Sequence, residues 1–247
     1  MFKSTRALVL RETKYKEADK MLTVLTDSEG KQTVSAKGVM GKSSKISAAC
    51  QLLTFSDMTL YESRGRLYVR EAQTVEQFLG LREDISALAL GTYFAELLEA
   101  VSDEDSPNGR VLSLGLNSLY ALSRNLYSQE HIKAVFELRL MCLSGFEPSL
   151  DYCPVCGSYE PEQAVFSTLG GTLLCKNCAG GQYGETLPAA LAVLTAMRHI
   201  TAAESKKIFS FSLEEKAEKQ LGAICEAYAI AQLERRFSSL DYWKSVK

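Results

Sequence analysis

The sequence predicts an α+β multidomain protein, with an N-terminal β-barrel followed by a helical domain that carries an inserted four-cysteine zinc ribbon. Three observations predict it. Up to about residue 80, short segments alternate apolar and polar residues between glycine-bearing turns. From residue 84 the apolar period lengthens to nearly four. Two C-x-x-C pairs then interrupt the helical stretch. The expected boundaries are 1–80 for the barrel, 81–247 for the helical domain and about 151–185 for the ribbon within it.

Each element follows in order. "STRALVLRETKY" and "KMLTVLTD" read as strands, and Ser28 to Gly30 turns the second into "KQTVSAKG". "LLTFSDMTLYES" and "RLYVREAQTVE" flank a hairpin at Ser63-Arg64-Gly65-Arg66. Five such segments in about 80 residues suit an OB-type barrel. "DISALALGTYFAELLEAVS" then presents Leu90, Phe94, Leu97 and Val101 on one helical face. "SDEDSPNG" breaks the chain, its Asp103–Asp105 run reading as a solvated loop, and "RVLSLGLNSLYALSRNLY" starts a second helix. Ser128 opens a third, "QEHIKAVFELRLMCLSGF", with Glu130 or His131 near the cap. Thr186 before Pro188 marks the start of the helix "AALAVLTAMRHI". "SLEEKAEKQLGAICEAYAIAQLERRF" forms a long C-terminal helix, and Trp243 beside Tyr242 packs the last helix.

The four ribbon cysteines carry the sharpest chemistry. Cys153 and Cys156 form one pair, Cys175 and Cys178 the other, with residues 157–174 between them. That separation is typical of tetrahedral zinc sites. Gly157 and Gly180–Gly181 supply the permissive backbone that tight metal-binding turns need. Four thiolates fill the coordination sphere of Zn²⁺ and leave no position for water or substrate, so the zinc is structural. Neither pair sits beside a βαβ unit, which a thioredoxin-like centre would require. The opening "MFKSTRALVL" lacks an apolar signal region, which argues for a reducing compartment and against a disulfide framework. Cys50, Cys142 and Cys225 read as core thiols, and His131 and His199 as structural histidines.

Composition narrows the function. The chain has 247 residues, 46% apolar and 23% charged, as expected for a soluble globular protein. No apolar run approaches the roughly 18 residues that would cross a bilayer. The formal net charge of −2 is unevenly spread. Residues 1–80 hold 13 Lys/Arg against 9 Asp/Glu, and the remainder 15 against 21. That asymmetry aims the N-terminal part at a polyanion.

"AKGVMGKS" satisfies a loose phosphate-loop pattern with Ala36 in the first glycine position. A nucleotide hydrolase would need a helix opening directly after it and a parallel βαβ setting, and the sequence offers neither. The same stretch suits a DNA-binding loop, where Lys37, Lys42 and Lys45 sit among small residues that let a phosphate backbone approach. Arg64, Arg66 and Arg70 on the hairpin form a second basic group, with Tyr61 and Tyr68 nearby as stacking platforms or core residues. Lys14 and Lys16 flank Tyr15 as a third. The other rival, a zinc-ribbon protein-interaction or transcription factor, would use the ribbon on DNA. Lys176 is the ribbon's single basic residue, against Asp151, Glu160, Glu162 and Glu185.

The combination resembles the bacterial RecO family of recombination and repair mediators along essentially the full length. The residues that carry the resemblance are "AKGVMGKSSKISAACQLLTFSDMTLYES", the ribbon following "GFEPSLDYCPVCG", and the closing "RFSSLDYW". The resemblance implies an OB fold, a helical domain, binding of single- and double-stranded DNA, and annealing of complementary strands without ATP. It further implies a scaffold rather than an enzyme, with no small-molecule substrate and no membrane. RecR and the acidic tail of single-stranded DNA-binding protein would be partners, RecA an indirect one, and the location cytoplasmic at the nucleoid. The family's basic OB-face positions map onto Lys37, Lys42 and Lys45, with the arginine hairpin second, and its ribbon cysteines map directly. A partner tail of that kind needs a basic rim, for which Arg124, Lys133 and Arg139, or Lys216, Lys219, Arg235 and Arg236, are the candidates.

Overall fold

The computed structural model describes residues 2–159, 161 and 163–247. Glu160 and Glu162 of the ribbon's acidic set lie outside the described residues. Five strands open the chain: β1 (Phe2–Tyr15), β2 (Asp19–Thr26), β3 (Gly30–Ala36), β4 (Phe55–Ser63) and β5 (Arg66–Glu76). They close into a barrel in the order β1-β2-β3-β5-β4. Every ladder is antiparallel except β3–β5, which runs parallel at Val34–Leu67 and Ser35–Tyr68. The expected five-stranded barrel is therefore present.

β1 serves two neighbours, pairing Phe2 to Leu8 with β4 and Ala7 to Tyr15 with β2. A register shift between Val9 and Arg11 bends it between the two. The alternation seen in the sequence sends Ala7, Val9, Leu22, Val24, Val34, Met58, Leu60 and Val69 into the interior. Leu8 and Leu10 point the other way and are buried too, where a helix packs outside β1. At the β4–β5 hairpin both central residues are left-handed, Arg64 at φ 53 and Gly65 at φ 70, the two-residue turn that matches strand twist.

Six helices follow: α1 (Ile85–Val101), α2 (Gly109–Ser123), α3 (Gln129–Leu143), α4 (Leu191–Ala202), α5 (Glu215–Leu233) and α6 (Ser238–Val246). Asp84, Asn108 and Ser128 cap the first three by accepting the backbone N–H of Ser86, Val111 and His131. Between α3 and α4 the ribbon adds β6 (Ala164–Ser167), β7 (Thr172–Cys175) and β8 (Thr186–Pro188), in the order β7-β6-β8.

Two local expectations need correction. Thr186 and Pro188 belong to β8 rather than to a helix start, and α4 begins at Leu191. Proline is tolerated there because β8 is an edge strand. The long C-terminal helix is two helices, since Glu234 turns left-handed at φ 49 and ends α5. The Asp103–Asp105 run is an exposed loop, as expected, and its backbone is also anchored to β3. Lys31 N–H donates to the Asp103 carbonyl at 3.0 Å, and a Cβ on Gly30 would meet the Asp103 and Ser106 carbonyl oxygens at 2.6 Å.

The chain groups into two compact units. One comprises the residues up to Arg124 with Phe237–Lys247, so α1, α2 and α6 pack with the barrel. In it Phe237 meets Tyr93 edge-on at 5.7 Å, Ser239 donates to Glu96, and Trp243 is 1% exposed. The other unit, Asn125–Arg236, holds α3–α5 and the ribbon. There Phe166 meets Tyr228 edge-on at 5.3 Å, Tyr228 donates to the Phe146 carbonyl at 3.0 Å, and Gln232 donates to that of Thr168 at 2.9 Å. Among the described residues no helix is long and apolar enough to cross a membrane.

Candidate nucleic-acid face and metal centre

A groove of about 600 Å³ runs along the outside of β2 and β3. Barrel closure makes it. The parallel β3–β5 pairing brings the β4–β5 turn alongside β3, while the β1–β2 turn lies at the end of β2. Lys16, Lys37 and Arg66, one from each of the three basic groups in the sequence, therefore line the same groove. Met21, Thr33, Ser35 and Leu67 line it as well, with Tyr15 and Tyr68 among the walls. Asp19 and Glu104 supply its acidic groups. OB folds bind oligonucleotides on this face, between these two turns.

The loop after β3 is held in place by its backbone. Gly38 N–H donates to the Asp19 carboxylate at 2.8 Å, Met40 N–H to the Ala18 carbonyl at 3.0 Å, and Val39 is buried in the barrel core. This positions Lys37, whose Nζ lies 4.3 Å above the Tyr68 ring. Lys14, Lys42, Lys45, Arg64 and Arg70 are exposed but lie outside the groove. Tyr61 and Tyr68 belong to no core; they are half-exposed on the barrel's outer side and stack on each other at 5.1 Å. Sequence reasoning missed Tyr15, Met21 and Ser35 as groove residues. The signal available for Met21 and Ser35 was strand alternation, since each neighbours a buried residue, Leu22 or Val34.

The phosphate-loop alternative loses its basis. After Lys42 and Ser43 the chain makes turns and then a short 3-10 helix, Ala48–Cys50, so no helix N-terminus faces a phosphate there.

The metal centre is built by two knuckles. Gly157 N–H donates to the Cys153 carbonyl at 2.8 Å with Gly157 left-handed at φ +75, and Ala179 N–H donates to the Cys175 carbonyl at 3.0 Å. The antiparallel pairing of β6 with β7 carries Cys175 to the first knuckle. All four sulfurs lie within 4.8 Å of one another, and Cys156 and Cys175 approach to 3.4 Å. Zn–S bonds of about 2.3 Å in a tetrahedron require S···S separations of about 3.8 Å, so the set fits zinc. Cys153 is fully buried on Val165 and Leu174. Burial opposes its ionisation, yet backbone N–H groups of Cys175, Cys156 and Val155 bring its thiol down to about 6. The hydrogen bond to Cys156 and the neighbouring charge on Cys153 push Cys175 up to about 12, and the same causes push Cys178 to about 11. Four thiolates this close need a cation to coexist. By contrast, burial first, with Glu12 and Glu147 nearby, lifts Cys50 to about 11 and Cys142 to about 12, so both are inert thiols.

Two of the seven rim candidates turn inward, Lys133 fully and Arg139 in part, which corrects that expectation. Lys133 is 1% exposed, its Nζ 2.9 Å from Glu137 and 2.9 Å from Glu226. Arg139 donates to the carbonyls of Ile200, Thr201 and Ala203, tying off the end of α4. Arg124, Lys216, Lys219, Arg235 and Arg236 are exposed, Lys219 pairing with Glu215. His131 is a buried structural histidine, with Nε2 3.2 Å from the Phe209 carbonyl and burial lowering its pKa.

The comparisons with known proteins cover both units. The N-terminal model of Recombination protein O matches residues 1–78, and the C-terminal model matches residues 82–241. DNA repair protein RecO of Acetivibrio thermocellus is 31% identical over 245 residues, spanning 98% of this chain and 96% of that protein. Its counterpart in Alkaliphilus metalliredigens is 30% identical over the whole of both chains, and that of Caldicellulosiruptor bescii is 28% identical over 98% of each. With both family models matched in order, a five-stranded barrel ahead of the helices and four clustered cysteines, the chain belongs to the RecO family of DNA repair proteins.

Proposed function

We propose that the protein is a recombination and repair mediator that holds DNA phosphates in the barrel groove and works without nucleotide hydrolysis. The observation that carries this reading is the convergence of Lys16, Lys37 and Arg66 on one face of the barrel. Lys42 and Lys45, and then Arg64, Arg70 and Lys14, extend the positive surface beyond it. Cations holding phosphates of two complementary strands lower their mutual repulsion, so pairing proceeds without a fuel molecule. In this reading the protein binds single- and double-stranded DNA and, with RecR, helps load RecA on strands coated by single-stranded DNA-binding protein, at the nucleoid in the cytoplasm. The exposed Lys216, Lys219, Arg235 and Arg236 supply the basic rim for that protein's acidic tail. Zinc is structural, and the ribbon, with Lys176 as its single basic residue, stays off the DNA.

The test is single-strand binding and ATP-free annealing across salt concentrations. Each neutralised single-strand phosphate contributes about −0.7 to the slope of log affinity against log salt. Lys37→Gln with Arg66→Gln should make the slope shallower by about 1.4 and slow annealing, whereas Lys14→Gln should change it less. An unchanged slope in the double variant would remove the groove from the phosphate path.

A further inference from the structure

We infer, building on the single-strand reading just proposed, that Phe2, Tyr61 and Tyr68 form a base-stacking platform that makes the barrel groove discriminate unpaired strands from duplex. Phe2 lies opposite Tyr61 in the β1–β4 ladder, and Tyr61 lies opposite Tyr68 in the β4–β5 ladder. Leu60 and Val69, their chain neighbours, fill the barrel interior, so strand alternation turns both tyrosines outward. The result is a row of three rings across three strands, about 10 Å from end to end at the usual strand spacing. Tyr61 and Tyr68 are stacked at 5.1 Å with an interplanar angle of 19°, and Phe2 is tilted 52° to Tyr61 at 6.2 Å.

Cross-strand aromatic pairs also stabilise sheets, but that role does not account for both ends of this row. Phe2 is 67% exposed, an apolar ring presented to water at one end. At the other end Tyr68 opens into the groove, with the Lys37 ammonium over its ring. A phosphate entering the groove competes for that ammonium and uncovers the ring for the adjoining base. Bases in a duplex already stack on one another and present only their edges, so the platform serves unpaired bases alone. Any base has a π-face, so the preference is for single-strandedness and not for sequence.

The test uses the zinc-loaded full chain and three probes of equal length and label: oligo-deoxythymidine, an abasic phosphodiester strand, and a duplex. The wild type should bind oligo-deoxythymidine at least about fivefold more tightly than the abasic strand, since each stacked base contributes that much or more. Phe2→Ala with Tyr61→Leu should remove most of this difference while leaving abasic and duplex binding and the salt slope unchanged, because neither ring lines the phosphate groove and no charge is removed. Equal wild-type affinity for the thymidine and abasic strands would overturn the platform with no variant needed, while leaving phosphate binding intact. Failure of all three probes to bind at low salt would refute the phosphate reading itself, and the platform with it.

Discussion

Lys133 carries a charge that never reaches bulk water. Burial pulls its pKa down, but Glu137 and Glu226 outweigh that and raise it. Its contribution to stability is therefore fully present below the ordinary lysine value and is lost only as the pH climbs through the raised one. Lys133→Met should cost about 3–5 kcal/mol in chemical denaturation at pH 7, because it removes the buried cation that both Glu137 and Glu226 face at 2.9 Å. A loss below about 1 kcal/mol would mean that the carboxylates find another partner or take up protons at little cost. The sequence carried a hint of this burial. Lys133 and Glu137 stand four apart in "IKAVFELRLMCL", a run apolar on every side, yet i,i+4 pairs more often decorate solvent faces. The basic groove was legible only in pieces. Lys16 and Lys37 lie in two separate loops and Arg66 opens β5, and the β3–β5 pairing that unites them joins residues distant in sequence, Val34 with Leu67.

The ribbon was the most readable element, because two residues between cysteines and a glycine after them fix the local geometry with little help from elsewhere. What the spacing could not show is how that geometry supports the strands. Cys175 ends β7, Ala164 pairs with it from β6, and Cys153 sits on Val165 and Leu174, so the four-cysteine cluster and the small sheet share one core. Strands of four, four and three residues share few ladder hydrogen bonds, so a metal held by the four cysteines would add to what fixes them. Cys153→Ser should abolish bound zinc and open the amides of β6 and β7 to hydrogen exchange, while β2 and β3 of the barrel stay protected. Retention of one zinc per chain, or unchanged exchange in β6 and β7, would contradict a structural site. The helix boundaries were less readable for a related reason. No Gly or Pro marks the break at Glu234, and Pro188 signals a helix start as readily as the end of an edge strand.

At the scale of the whole molecule, the period change near residue 81 locates where strands give way to helices, but not which helices pack with which unit. α6 ends a chain whose preceding 112 residues, Asn125–Arg236, form the other unit, yet it packs on α1 with the barrel. The barrel unit is therefore completed by the last segment of the sequence, and its stability should depend on Trp243, the only tryptophan. Truncating a buried tryptophan removes its transfer free energy and leaves a cavity that neighbours fill only in part. Trp243→Ala should destabilise the barrel unit by about 3–5 kcal/mol, seen as earlier exchange of α1 and of the β1 amides beneath it. Zinc content should stay at one per chain, because the cysteines, β6 and β7 all belong to the other unit. Zinc lost together with barrel protection would show that the two units unfold as one. Zinc retained over an opened barrel would establish that the barrel groove and the four-cysteine cluster are stabilised separately, so that chelation and the loss of α6 packing act on different units of the chain.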